Sequence, residues 1–570
     1  MSLLPGEKLR YAETHFKFKL PWSLLYKPWP EIIFDAPFQF VPGVEPTLWI
    51  VVRDANHFPT KLKTVEIKLK HDAASFETAT VTAVGTTAGT APQSDFSIRK
   101  DLNIEVQEQM RFIPLPLGKI PAGSYCAHCT LTVERNGKTQ TFTRWNLPTL
   151  KPVPLRFKVL NEFPPMAPGY VAGEMHCHTH YSADHVEYGA TPEVLQQAAK
   201  AVGLDFVSCT DHAYDFAFTQ EDYTKEAESP VPRFQSLKDA IAALPRKDEN
   251  GNDMPLMLAG EEVSAGNSKG ENVHMTVLAP DGYLPGLGDC GRYWLDNKPT
   301  RTIKQILGMT EAHCFAAHPF QQMGLLEKFV FRRGYWKSED LNTNGKHPIR
   351  GIQFWNGSRD EGFMLGREFW INELGKGNYL LPIGGNDAHG DLNSMTAVSM
   401  PLFSLKHTRA HTFGKVRTVV RIAPADTTVT PNDNANVTPS DNDTVIPNDN
   451  DTVIPNGVRD PVTLNEAFAG DNCYITDGPA LWWERNGKEI IFHARSNKET
   501  GGGFRYIRIY GRRLLPNGKS APTEEIQLGS LIATPDHADI PVITTGFAYF
   551  RAECETATGK FALTSAARVR

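Results

Sequence analysis

The chain has 570 residues, a formal net charge of -6 and a hydrophobic fraction of 41%. That length and apolar content suit several packed domains and exclude a disordered protein. The mildly acidic balance gives no reason to expect nucleic acid or an anionic membrane as a partner.

The opening MSLLPGEKLRYAETHFKF lacks a charged stretch followed by an apolar one, so no signal peptide is read. No uncharged apolar run approaches the roughly 20 residues that cross a bilayer. A soluble chain with a cytoplasmic address is the default expectation, with an exported one if a leader has been removed. Residues 1–165 read as an N-terminal β-sandwich-like domain, because TLWIVVRDA, VEIKLKHD and AHCTLTVERNG are short, β-branched and turn-bounded. Cys126 and Cys129 form a C-x-x-C inside such a strand, which puts them on opposite faces. With no second ligand pair nearby, they read as two reduced cysteines rather than a zinc knuckle.

From about residue 166 short apolar runs alternate with helical ones. YVAGEMHCH precedes TPEVLQQAAKAVG, a helix with Thr191 as N-cap and Pro192 in its first turn. LDFVSCTDH, LMLAGEEVS, VHMTVLAP, CFAAHPF, RGIQFWNG and YLLPIGGNDAH read as further strands. FQSLKDAIAAL, RTIKQILGMTEA and GREFWINELGKG read as helices between them. The pattern predicts an α/β region of parallel βα units, a barrel or a doubly wound sheet, over 166–424. Residues 425–457 contain the near-copies TPNDNANV, TPSDNDTV and IPNDNDTV, an Asn/Asp/Pro repeat that cannot build a core. Residues 458–480 are expected to return to the middle domain, and 481–570 to form a C-terminal β domain.

The strands of the middle region share one property: several end in metal-ligating residue types. His176 and His178 end the first, Asp211 and His212 the second, and Glu261 and Glu262 lie on the third. His274 begins the next, His318 ends another, and Asp387 and His389 end the last. Parallel strands open their C-terminal ends on one rim, where active sites form. His176 and His178, like Asp387 and His389, are two apart and so share a strand face. Carboxylate plus imidazole suits Zn, Mn or Fe better than Ca or Mg. A lone strand-end histidine is more often hydrogen-bonded structure, and His180, His185 and His313 fit that plain reading. A set at nearly every strand end does not.

In order, HCHTHYSAD, CTDH, GEE, AAHP and GGNDAH resemble the polymerase-and-histidinol-phosphatase (PHP) domain. EAFAGDNCYITDGP and the flanking β regions are similar to CehA/McbA-type metallohydrolases. The resemblance implies a distorted (β/α)7 barrel flanked by β-sandwich-like domains and holding two or three divalent cations. It puts His176, His178 and Asp387 on the first cation, Glu262 between the first and second, and His212 on the second. His274, His318 and His389 would hold the third. The first motif is one residue longer than in many members, so Asp184 is the implied second-cation ligand, with His180 and His185 as fallbacks. Asp211 is expected to orient an imidazole and Glu261 to face away.

The implied catalytic residues are Asp387, Glu262 and His318. A hydroxide on the first two cations would attack phosphorus or a carbonyl carbon, and Asp387 or a neighbouring histidine would collect the proton. Arg332, Arg333, Arg359 and Arg367 are candidate phosphate partners, each also readable as a solvated surface arginine. GNSKG at 266–270 matches a nucleophile elbow, but a strand follows it, so Ser268 reads as a turn residue. GLGDCG at 286–291 does not open a helix and is not read as a dinucleotide site. The expectation is a metal-dependent hydrolase of a small-molecule ester, with a phosphoester leading and a carboxyl or carbamate ester or amide second. An inactive binding scaffold is the rival of another class. Oligomeric state stays open.

Overall fold

A computed structural model describes residues 9–10, 26–27, 29–72, 96–147, 150–182, 189–219, 226–290, 297–341, 345, 347–390, 392–393, 395–399, 404–422, 461–514 and 525–569. Asp184, His185 and the 425–457 repeat lie outside the described residues.

The N-terminal region is two sheets around one core. Glu31–Asp35, Thr47–Arg53 and Met110–Pro116 pair antiparallel as one sheet. The other runs Gln39–Phe40, Leu155–Val159, Gly123–Arg135, Thr60–His71 and Phe96–Val106, with Lys138–Thr143 also paired to Gly123–Arg135. Alternation, interrupted by a bulge between Leu62 and Thr64, builds the interface between them. On Thr60–His71 the residues Leu62, Val65, Ile67 and Leu69 point inward, where they meet Ile32, Phe34, Leu48 and Ile50 of the first sheet. On Gly123–Arg135 the same alternation buries Cys129 and leaves Cys126 on the opposite face, both as free thiols.

The middle region is α/β and is built on two sheets. In the ten-stranded sheet, Tyr170–Cys177 (the His176 strand), Phe206–Cys209 and Leu256–Ala259 run parallel. In the five-stranded sheet, Cys314–Ala317, Gly351–Asn356 and Leu381–Gly385 run parallel. The helix Pro192–Val202 lies between the first two strands of the ten-stranded sheet. Thr191 caps it by accepting from the Val194 amide, and Gly203 ends it in the left-handed region at φ 79°.

Two expectations need correction. Glu261–Gly266 (the Glu262 strand) and Asn272–Val277 (the His274 strand) are an antiparallel hairpin, not parallel βα units. The five residues between them are too few for a crossover. RTIKQILGMTEA forms only the short helix Ile303–Leu307, which stops at Gly308.

The two sheets do not close into one continuous barrel ladder. Among the described residues they meet through isolated parallel bridges, Cys177 to Ala388 and His212 to Glu262. Pairing of the His176 strand shifts register between Glu174 and Cys177.

The C-terminal strands are not a detached layer. Cys473–Thr476 pairs with Phe561–Thr564, so Phe547–Thr556 and Phe504–Arg513 extend the same ten-stranded sheet. A three-stranded sheet, Ala480–Asn486, Glu489–Arg495 and His537–Ile543, covers that extension through Leu481, Ile490, Phe492, Ile507 and Phe550. No helix among the described residues is long and apolar enough to cross a membrane.

Candidate metal centre

Eight of the side chains singled out in the sequence converge in one buried pocket. They form overlapping groups: His176, His178, Glu262 and Asp387; Glu262, His274 and His318; His178, His212 and His389. Each group has its ligand atoms within 4.8 Å of one another. The backbone brings them there in three ways. Asp387 N donates to His176 O at 2.7 Å and His178 N to Ala388 O at 2.9 Å, which lays the last strand end along the first. Glu262 N donates to Asp211 O at 2.9 Å, joining the second strand end to the hairpin. Gly385 allows the close approach: a Cβ there would sit 2.8 Å from the His176 Cβ.

Glu262 is the hub. Its Oε1 lies 2.7 Å from His274 Nδ1, 3.0 Å from His318 Nε2 and 3.3 Å from His176 Nε2. Its Oε2 lies 2.8 Å from His212 Nδ1 and 3.5 Å from His178 Nε2. Asp387 Oδ1 is 3.2 Å from His178 Nε2 and 3.4 Å from His176 Nε2. The grouping implied by the family resemblance therefore changes. His389 belongs with His178 and His212, its ring stacked on His178 at 3.9 Å, and Glu262 reaches directly to His274 and His318.

Burial opposes charge on every group here, and the neighbours decide the outcome. Burial would raise the Glu262 carboxyl, but His274, His176 and His212 outweigh it and hold Glu262 well below the usual carboxylate range. Asp387 is held well below in the same way, burial losing to His176 and to the His178 hydrogen bond. Burial, reinforced by His389 and His212, keeps His178 well below the ordinary imidazole value. Burial also lowers His318, against the pull of Glu262. At His176 burial is overcome by Glu262 and Asp387, which raise it to about 9. At His274 it is overcome by Glu262 and Asp289, which raise it to about 10. The carboxylates thus demand positive charge, which a divalent cation would supply in place of those protons.

The donor set fits such cations. His212 Nδ1 and Glu262 Oε2 face each other at 2.8 Å as an ion pair out of good hydrogen-bond alignment, and His389 Nε2 has no hydrogen-bond partner. Buried polar atoms without well-aligned hydrogen bonds are costly unless something else, such as a cation, satisfies them.

Partners that the sequence reading missed fix the ligands. Gln353 Oε1 accepts from His176 Nδ1 at 2.8 Å, leaving Nε2 to face the pocket. Gln353 Nε2 in turn donates to Asn356 Oδ1, and Asn356 Nδ2 donates to Asp387 Oδ2 at 3.0 Å. Polar Gln353 inside the apolar run GIQFW was the available signal. Asp289 Oδ2 accepts from His274 Nε2 at 2.9 Å and from Arg333 Nε at 2.6 Å, while its Oδ1 accepts from Ser264 Oγ at 2.6 Å. Asp289 sits in GLGDCG, a stretch read only for its glycines. Glu174 accepts from the amides of His176, Asn386 and Gly414 and ties the first and last strand ends together.

Three of the ten non-glycine residues with positive φ among the described residues sit around this pocket: Asp289, His318 and Asp387. Such backbone persists where surrounding contacts over-determine it, as at functional sites.

Other expectations resolve individually. Asp211 acts on an imidazole at one remove: it accepts from Thr179 N, Thr179 Oγ1 and Ser182 N and so clamps the loop after His178. Ser182 Oγ then meets His178 Nδ1 at 3.1 Å. Glu261 faces away and accepts from Leu284 N. His180 joins none of the three groups, and His313 Nε2 donates to Asn465 O. Ser268 is a turn residue whose hydroxyl donates to Glu339 Oε1. Arg359, on the surface, pairs with Glu555, and half-buried Arg367 pairs with Glu553; Arg332 is exposed. Arg333, paired to Asp289, lines a shallow open cleft together with His274, His318, Gln321, Met323 and Trp336.

No family model and no curated protein matches the chain. Among solved structures, a β-D-mannosidase from Dictyoglomus thermophilum aligns at 10% identity over 95% of this chain and 67% of its own, with a TM-score of 0.20. A β-glucuronidase from Parabacteroides merdae aligns at 10% identity over 94% of this chain and 76% of its own, with a TM-score of 0.17. TM-scores of this size establish neither a shared fold nor a shared chemistry.

Proposed function

We propose that the chain is a metal-dependent hydrolase of small-molecule esters, with a phosphoester as the leading substrate class. The observation that carries this reading is the convergence of buried imidazoles and carboxylates from separate strand ends, with ligand atoms out of good hydrogen-bond alignment. His176, His178, Glu262 and Asp387 would hold one cation, Glu262, His274 and His318 a second, and His212 with His389 a third. Nitrogen and oxygen donors of this kind suit Zn, Mn or Fe. Divalent cations bound there supply Lewis acidity and lower the pKa of coordinated water towards about 7.

The chain's own groups have separate tasks in this reading. Gln353 and Asp289 fix the tautomers of His176 and His274. Asp387, ionised and 12% exposed at its side chain, can collect a proton at Oδ2. Arg333 stands in the cleft wall beside His274 and His318, which favours an anionic substrate group over a neutral one. The bridges from Cys177 to Ala388 and from His212 to Glu262 support reading the two middle sheets as halves of a distorted (β/α)7 barrel of the PHP kind.

Metal quantification on purified protein, followed by assays on p-nitrophenyl phosphate, bis-p-nitrophenyl phosphate and p-nitrophenyl acetate with and without chelator, tests the proposal. Two or three cations per chain and chelator-sensitive phosphoester turnover are expected. Turnover of the acetate alone would move the substrate to carboxyl esters, and full activity in metal-free protein would overturn the reading.

A further inference from the structure

The segment after His389 is held by one carboxylate from far outside the middle region. Asp35 ends the N-terminal strand Glu31–Asp35 and is 1% exposed. It accepts from the backbone amide of Leu392 and, at 3.3 Å, from that of Asn393. These amides lie three and four residues after His389. Asn393 is tied a second time to the same region, its Nδ2 donating to Arg156 O at 2.6 Å. Its Oδ1 accepts from Arg409 Nη2 at 2.6 Å and its carbonyl from Thr412 Oγ1 at 3.2 Å.

His389 therefore sits between two backbone anchors. Upstream, Asp387 N and the Ala388 carbonyl bind the His176 strand end. Downstream, Leu392 and Asn393 bind Asp35. The ring stacks on His178 at 3.9 Å and its Nδ1 meets the Asp387 carbonyl at 3.1 Å, while Nε2 has no hydrogen-bond partner. Backbone anchoring on both sides holds the segment that carries this ring beside His178 and His212.

We propose that Asp35 is a positioning residue for His389, so that the N-terminal sheets set the geometry of the His178, His212 and His389 cation site. The proposal rests on the metal reading above. A buried carboxylate accepting two amides is a directional clamp, and losing it leaves two buried N–H groups unpaired while freeing the segment that carries the ligand. Outer partners of this kind typically cost 10–100-fold in metal affinity or activity when removed.

The test uses full-length protein with Asp35→Asn and Asp35→Ala, and Glu31→Gln as control. Glu31 lies on the same strand in a buried ion pair with Arg53 at 2.9 Å, so its loss weakens the same sheets. Zinc titration of the chelator-stripped protein is expected to show one zinc per chain bound about 10–100-fold more weakly in the Asp35 variants. Hydrogen exchange is expected to speed up in the peptide containing 386–396. Glu31→Gln is expected to lower the melting temperature without either change. If Asp35→Ala does not fold, Asp35→Asn, which keeps one acceptor oxygen, gives the answer. Wild-type zinc affinity and exchange in the Asp35 variants would overturn the proposal. So would equal losses in Glu31→Gln. A wild-type protein that binds no zinc would refute the metal reading instead, and the exchange measurement would still decide whether Asp35 holds the His389 segment.

Discussion

His274 lies between two acids. Asp289 takes its Nε2 proton and leaves Nδ1 facing Glu262. Asp289→Asn puts that tautomer at risk while keeping the volume, so turnover is expected to fall about 10–100-fold with a matching loss of bound metal, read by elemental analysis. His176→Ala combined with His178→Ala removes two ligands from the first group; turnover is expected to drop to background while far-UV circular dichroism keeps its native shape. Ser268→Ala is expected to leave turnover near normal, since that hydroxyl serves only the turn contact with Glu339; a total loss would revive a serine nucleophile. The candidate ligand types were legible because imidazoles and carboxylates recur at nearly every strand end of the middle region, which single structural roles do not explain. Asp289 and Gln353 were not, because a lone acid in a loop and a lone amide in a strand gain their meaning only from the imidazole each one meets.

Strand identity was legible from apolar runs, and strand direction was not. The Glu262 and His274 strands read like their parallel neighbours, and only the length of the turn between them forces the hairpin. The hairpin of Met395–Ser399 and Ser404–Thr408, which follows the His389 segment, docks on the N-terminal region through His407, whose ring lies 5.3 Å from that of Trp145. Burial, with Arg144 and Arg409 adding to it, lowers His407 from 6.5 to about 4. The unfolded chain therefore binds a proton that the native chain refuses between those values. The stability contributed by neutral His407 is complete above pH 6.5 and is lost as pH falls towards 4. In melting curves from pH 8 to pH 4, His407→Phe is expected to decline less steeply than wild type. Equal slopes would show that His407 carries no part of the acid sensitivity.

Over the whole molecule, regions that the sequence separates are joined. The ten-stranded sheet runs from the His176 strand through Cys473–Thr476 into the C-terminal strands, so a cut at residue 480 would divide one sheet. Asp35 links the N-terminal sheets to the His389 segment in the same spirit. The Asn/Asp/Pro repeat lies outside the described residues. Its composition offers nothing to a core, so deletion of residues 428–455 is expected to leave turnover and melting temperature close to wild type. A collapse of folding would mean that the repeat is more than an insertion.

The amino-acid order by itself determined the residue types of the pocket and the strands that carry them, because both follow from local patterns: alternation, turn residues, and imidazoles where a strand stops. Only the tertiary structure decided which ligands share a group, that the hairpin runs antiparallel, and that Asp35 reaches the His389 segment. Those facts depend on distances between residues far apart in the chain, and such distances are fixed by packing, which no local pattern encodes.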